Sequence, residues 1–358
     1  MIAMIWQSDW NALGGMIAKK FLEANQEVNV FIKNVQQNGD KDGSGLPAGV
    51  NLVTSLSQAI QDAQAVLTLL NTPQEVEDVY LGDGGIFEHT SAGTLFIDLS
   101  TSNPRLAKEL YALAAVHDHS FVEAPLVCGA DVFETGALSV YAASEKQDLK
   151  KALPVLRMFA QDVLDAGIPG SGSALKLASQ IALANTLMGV VESVTFALFA
   201  GITSEKILKM LETNPAASVV AQAFGKRIID EDFYYGIELQ QFFFDLTSAL
   251  DAADELGLAL PGLETAHQLY DLMVLVGGAK KGIHGLALIY HDEEYCTQHG
   301  LNWELAQQAM DVYERGQEDS YDDEFYDDDD DEECDDPNCG HHHHGDGPPM
   351  MSRYFSSN

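Results

Sequence analysis

Residues 168–199 read IPGSGSALKLASQIALANTLMGVVESVTFALF, and this stretch divides the chain. It opens on turn chemistry, Ile168-Pro-Gly-Ser-Gly-Ser173, which interrupts the pattern before it. Residues 175–199 then carry apolar side chains around most of a helical circumference, which predicts one long buried helix. The apolar run at 181–202 is nearly long enough to cross a bilayer. Asn185, Glu192 and several Ser and Thr interrupt it, and patterned sequence continues on both sides. The central helix of a soluble, cytoplasmic protein is therefore expected, with no membrane span.

Upstream, short β-branched runs alternate with helical patterns. Strands are predicted at 2–6, 28–31, 65–70, 95–97, 121–122, 138–142 and 163–166, with helices at 13–24, 56–63, 104–116 and 146–159. Strands apolar on both faces and separated by helices indicate a parallel sheet covered on each side. Right-handed crossovers then give a doubly wound α/β domain over residues 1–167. Downstream the text is almost purely helical, with segments at 204–212, 217–229, 246–255, 263–276 and 303–313. An all-α domain over 168–313 follows.

Charge narrows the partners. Of the formal net charge of −36, sixteen acidic residues against two arginines fall from Glu314 onward. The body is still acidic, and its 19 basic residues are scattered, whereas phosphate backbones need clustered Lys and Arg. Nucleic acid is excluded as a partner. The four cysteines, Cys128, Cys296, Cys334 and Cys339, make no disulfide framework, and no secretory signal is visible. Residues 314–358 are low-complexity and are expected to form a disordered acidic tail.

Several motifs fall in one order: AVLTLLNTP at 65–73, IDLSTSNP at 97–104, VEAPLVCG at 122–129, ETGAL at 134–138, GSGSALKLASQ at 170–180, and DLTSALDAADELGLALP at 245–261. Together they resemble the β-hydroxyacid dehydrogenase family over roughly residues 1–290. The resemblance implies a Rossmann-type first domain, an NAD or NADP cofactor, a small hydroxy acid or carbonyl substrate, and a homodimer or higher oligomer. It makes Lys176 the catalytic acid/base. An ammonium near the reacting oxygen can donate a proton as hydride moves and can neutralise alkoxide charge.

Other positions are carried over one by one. Thr101, beside Ser100, would face the nicotinamide, its competing reading being a cap for the helix at Pro104. Leu70 and Asn71 would line the cofactor. Gly129 keeps one glycine of the family's Ser-Gly-Gly substrate turn, while Val127 and Cys128 replace the others. Gln180, four residues beyond Lys176, could bind a substrate oxygen. Asp245 retains the acid of a Lys-Asp pair and is assigned to the cofactor side, with a helix N-cap as its structural reading.

The front of the chain departs from the fingerprint. A dinucleotide loop uses G-x-G-x-x-G after the first strand, and here residues 6–15 read WQSDWNALGG. Ser8 and Gly14 are the cofactor-side candidates. Lys33, where an NAD enzyme commonly has a ribose-binding acid at the preceding position, favours NADP. The altered loop leaves open a second reading, a non-catalytic or cofactor-altered binding or regulatory protein on the same scaffold. No metal is assigned to the body, although Cys296, His299 and His291 have zinc-like residue types. Cys334, Cys339 and His341–His344 in the tail could hold divalent ions loosely.

Overall fold

The computed structural model describes residues 1–7, 11–33, 46–129, 132–213 and 215–309. Strand β1 (Ile2–Gln7) is fully buried, and its side chains alternate between two cores. Ala3 and Ile5 join one, Met4 and Trp6 the other. The period of two along a strand thus serves a sheet covered on both faces.

The remaining strands are β2 (Val28–Lys33), β3 (Asn51–Leu52), β4 (Ala65–Leu69), β5 (Leu95–Asp98), β6 (Ser120–Glu123), β7 (Leu126–Cys128), β8 (Leu138–Ala143) and β9 (Asp162–Gly167). They form one sheet in the order β3-β2-β1-β4-β5-β6-β8-β7, with β9 paired to β8. The first six positions are parallel throughout. Strand order reverses beside β1, where the chain first moves outward through β2 and then returns through β4. Ligands of such sheets lie beyond the carboxyl ends of the strands at that reversal.

Helices α1 (Asn11–Glu23) and α6 (Lys146–Phe159) cover one face through residues such as Leu13, Phe21, Leu156 and Phe159. Helices α2 (Leu56–Ile60), α3 (Pro73–Leu81) and α4 (Pro104–Val116) cover the other through Ile60, Val79, Tyr80 and Leu110. The short α5 (Val132–Thr135) follows β7. The sheet is parallel-dominated and not wholly parallel, because β8 runs antiparallel to both β6 and β7. The link from β6 to β8 is spent on β7 and the short α5, and β7 pairs antiparallel with β8 in place of a crossover helix.

The long helix is α7 (Ser171–Phe199). Around it lie α8 (Ser204–Thr213), α9 (Val219–Ile229), α10 (Leu239–Glu255), α11 (Pro261–Leu275), a 3-10 helix (Ile283–Tyr290) and α12 (Glu293–Gln298). Leu187, Val191 and Val194 of α7 share their core with Phe224, Phe242, Tyr270 and Met273. By length and composition α7 alone among the described residues could cross a membrane. Helix α10 begins seven residues before the expected Leu246. The spacing of buried Leu239, Phe242 and Leu246 is helical, but three consecutive phenylalanines hide it in the text. Helix α3 was not anticipated from its mostly polar sequence; Thr72 caps it, accepting from the Glu75 amide at 3.2 Å, with Pro73 in its first turn. The tail at 314–358 lies outside the described residues.

Trp6 and Gly14 define the packing at the end of β1. Trp6 is wholly buried, and a Cβ on Gly14 would stand 2.8 Å from two atoms of its indole. The last glycine of the degenerate fingerprint therefore admits an indole. Gly14→Ala is expected to destabilise the fold by about 1–3 kcal/mol through overpacking. Adding Trp6→Phe should recover part of that loss, and a double-mutant cycle in urea unfolding would read the coupling. Strict additivity would show that the two residues do not oppose one another.

Candidate active site

The carboxylate of Glu123, at the end of β6, determines where α7 starts. Glu123 is buried and accepts from the amides of Gly170, Gly172 (3.3 Å) and Ser173 (2.8 Å), and from the Ser173 hydroxyl. These are amides of the helix N-terminus, which have no partner within the helix. Burial raises the Glu123 carboxyl above its ordinary range, and the four hydrogen bonds pull it back. Gly172 makes the approach possible, since a Cβ there would meet the Tyr141 carbonyl oxygen at 2.5 Å.

One turn further along α7 is Lys176. Its ammonium pairs with Asp245 at 3.4 Å, and the two side chains are 9% and 5% exposed. Gln180 donates to the same oxygen of Asp245, while Gln241 donates to the other at 3.4 Å. Asp245 therefore lies within α10 and is not the N-cap expected for it. The reason is the earlier start of α10, which carries Asp245 round to face α7. Gln180 likewise faces Asp245 in addition to the cavity.

A cavity of about 630 Å³ opens between the carboxyl ends of the strands and the helices. Lys176, Gln180, Asp245, Thr101, Val127, Cys128 and Gly129 all line it. Burial pushes the Cys128 thiol up to about 11, with Lys176 lowering and Asp245 raising it. The thiol is therefore neutral at ordinary pH. Arg227 also lines the cavity, its guanidinium resting on the Tyr235 ring and donating to Asp232.

Four candidates do not line this cavity. Leu70 and Asn71 are buried just beyond β4. The Leu70 amide donates to Ser100 Oγ at 2.9 Å, and the Asn71 amide to Glu75 at 2.9 Å. Gly14 faces Trp6, and Lys33 ends β2 in register with Gln7. Ser8 lies outside the described residues. Thr101 is no helix cap, because Asn103 accepts from the Arg105 amide at 2.7 Å and takes that role.

Asp98 organises the same strand ends. It accepts from Thr68 Oγ1 (2.8 Å), Ser100 Oγ (2.6 Å) and the Ser100 amide (3.2 Å). Tyr80 completes the chain by donating to Thr68 at 2.8 Å. Burial raises the Asp98 carboxyl to about 6 despite these donors. Sequence reasoning missed Glu123, Asp98 and Gln241. The available signal was a charged residue closing an apolar strand in IDLS and VEAP, and a glutamine one turn before Asp245.

The zinc-like residues diverge. Cys296 is buried and donates to the Leu288 carbonyl at 3.1 Å, while His299 faces Glu231 at 3.4 Å and His291 stacks on Tyr295. Among the described residues no group of three His, Cys, Asp or Glu could hold a metal ion.

For a dinucleotide, the nicotinamide end fits better than the phosphate end. Thr101 lines the cavity above β5, and among the described residues the neighbouring buried Ser102 hydroxyl has no hydrogen-bond partner. At the phosphate end only the fingerprint's last glycine is kept, and Gly14 plays that glycine's part, letting α1 pack closely on Trp6 of β1.

Comparison with known proteins bears on this geometry. A family model for the NAD binding domain of 6-phosphogluconate dehydrogenase matches residues 11–167. A second, for the NAD-binding part of NADP-dependent 3-hydroxyisobutyrate dehydrogenase, matches residues 170–290. The uncharacterized oxidoreductase YkwC of Bacillus subtilis is 28% identical over 76% of this chain and 94% of its own. The NAD-dependent L-serine dehydrogenase of Pseudomonas aeruginosa is 26% identical over 75% of this chain and 91% of its own. The solved 3-hydroxyisobutyrate dehydrogenase of Mycobacterium tuberculosis has the same fold. Its TM-score is 0.70 at 22% identity, over 82% of this chain and all of that one.

The Asp98 carboxyl makes stability depend on pH. Its folded value, about 6, lies above the ordinary 3.8, so the folded state retains a proton that the unfolded chain releases. Stability from this group is present at low pH and is lost as pH rises through 6. Relative to Asp98→Asn, the native chain should lose about 2 kcal/mol between pH 4.5 and 7.5. Urea unfolding of both proteins at the two pH values measures it, and a constant difference would contradict it.

Proposed function

The chain belongs to the β-hydroxyacid dehydrogenase family and is an NAD(P)-dependent oxidoreductase of that type, and from this premise we propose that Lys176 is its acid/base. The observation that carries the proposal is the buried Lys176–Asp245 pair in the wall of a cavity that also holds Thr101 and the 127–129 turn. The bound nicotinamide supplies or accepts hydride at the substrate carbon. In the reducing direction Lys176 Nζ gives its proton to the carbonyl oxygen, and in the oxidising direction it takes the hydroxyl proton.

Asp245 is a positioning residue in this reading. It holds the ammonium at the cavity wall, while Gln180 and Gln241 satisfy its remaining lone pairs. Val127, Cys128 and Gly129, which line the same cavity, are the substrate wall in this reading. Thr101, Leu70 and Asn71 belong to the nicotinamide side, with Ser8, Gly14 and Lys33 toward the rest of the cofactor. Lys33 favours NADP, whose extra phosphate a cation neutralises. Residues 1–167 bind the cofactor and 168–313 bind substrate and a second copy. A soluble cytoplasmic setting is part of this proposal, and packing of Leu187, Val191 and Val194 of α7 in the protein's own core supports a helix that does not span a membrane.

The homodimer rests on the outer face of α7. Leu175, Ala178, Ala182, Thr186, Gly189, Phe196 and Phe199 are exposed along it, and a Cβ on Gly189 would meet nothing within 4 Å. A second copy covering this stripe would remove apolar surface from water.

Two measurements test these readings. Indole fluorescence during NADH and NADPH titration should register cofactor binding, more tightly for NADPH. Lys176→Ala should retain that binding and lose about 10²–10⁴-fold in turnover; unchanged turnover would remove Lys176 from the chemistry. Sedimentation velocity should show a dimer that Gly189→Trp converts to a folded monomer, whereas a monomeric native chain would dismiss the interface.

A further inference from the structure

The charges of the cavity are already matched. Among its lining residues the cations are Lys176 and Arg227 and the carboxylate is Asp245. Lys176 is paired with Asp245, and Arg227 with Asp232, which does not itself line the cavity. The 127–129 turn adds no charged side chain. The Val127 side chain has no polar atom, Gly129 has no side chain, and the Cys128 thiol is neutral and a weak donor, which leaves only backbone groups. The rest of the wall is uncharged: Leu126, Leu183, Val220 and Phe242 are apolar, while Thr101, Ser179, Gln222 and Tyr235 offer only neutral polar groups.

A substrate carboxylate entering here would shed water without gaining an uncommitted cation, which is unfavourable. It would also approach the Asp245 carboxylate, which lies 3.4 Å from the reacting amine, and like charges at such range repel. An uncharged carbonyl meets neither obstacle. Its oxygen needs the single Lys176 proton, and its substituents find apolar contacts. The volume of about 630 Å³ is also in the range that holds a drug-sized ligand.

Building on the catalytic reading above, we propose that the site selects an uncharged aldehyde or ketone with an apolar branch, and the corresponding alcohol, over a carboxylate-bearing hydroxy acid. The wall at Val127 and Cys128 determines this selection. The reaction balances as carbonyl + NAD(P)H + H⁺ → alcohol + NAD(P)⁺. The carbonyl carbon gains hydride and is reduced, its oxygen takes the proton of Lys176 Nζ, and the lysine recovers a proton from solvent.

Matched pairs test it. In equilibrium binding with NADP⁺ or NAD⁺ present, isobutyramide should bind at least tenfold more tightly than isobutyrate, by ligand-observed NMR or calorimetry. In turnover, 2-methylpropanal should exceed 2-methyl-3-oxopropanoate, in which a carboxylate replaces one methyl, by at least tenfold in kcat/KM. Val127→Ser, which adds a hydroxyl to the wall, should narrow both ratios severalfold. Equal or tighter binding of isobutyrate, or absence of binding by either ligand, overturns the proposal. So does a preference for the carboxylate-bearing aldehyde, and unchanged ratios in Val127→Ser overturn the assignment to that wall. Selective binding of isobutyramide with no turnover of either aldehyde supports the selection and overturns the catalytic reading, so the two failures are distinct.

Discussion

The carboxylate of Glu123 joins the two halves of the fold at the one place where chemistry needs them joined. It closes β6, whose continuation becomes the 127–129 wall of the cavity, and it accepts from the first amides of α7. A helix N-terminus carries unsatisfied donors and partial positive charge, and a buried carboxylate carries the complementary need. Neither could remain buried without the other. The lysine one turn along α7 is placed relative to the strand ends by this contact and by the absence of a Cβ at Gly172. Displacing α7 would therefore move the amine, the substrate wall and the strand ends relative to one another.

Electrostatic matching continues inward from that joint. Asp245 takes hydrogen bonds from two glutamine amides and an ion pair from Lys176, so three side chains on two helices converge on one carboxylate. Removing any partner would leave a buried polar group poorly satisfied, which is costlier than never having built the cluster. Asp98 shows the same logic without a cation. Its donors are hydroxyls and one amide, too weak to offset desolvation fully, and its carboxyl stays well above the ordinary range. Through Ser100 it ties the loop after β5 to the backbone of Leu70 after β4.

The end of β1 keeps one part of a dinucleotide loop and loses another. In the fingerprint the last glycine lets the helix pack closely on the first strand, while the earlier two shape the turn and admit the pyrophosphate. Gly14 keeps the packing part, standing against Trp6, which belongs to the sheet's own core. The two earlier glycines are replaced in the sequence.

Much of this was legible from pattern alone. Doubly apolar strands alternating with helices specify a covered parallel sheet, and the unbroken text after Ser173 specifies an all-helical second half, because burial and period are local properties of the chain. Lys176 and the 127–129 turn were singled out by the resemblance of the motif order to the family, and not by period or burial. What sequence could not supply was convergence. Asp245 read as a helix cap because the phenylalanine run concealed the start of α10, and Glu123 and Asp98, one residue beyond the expected strands at 121–122 and 95–97, carried no role because their partners lie up to 50 residues away. The antiparallel return of β8 and the pairing of every cation in the cavity likewise depend on which distant elements meet. Period and composition act along the chain, but a carboxylate's partner is chosen in space, and only tertiary packing makes that choice.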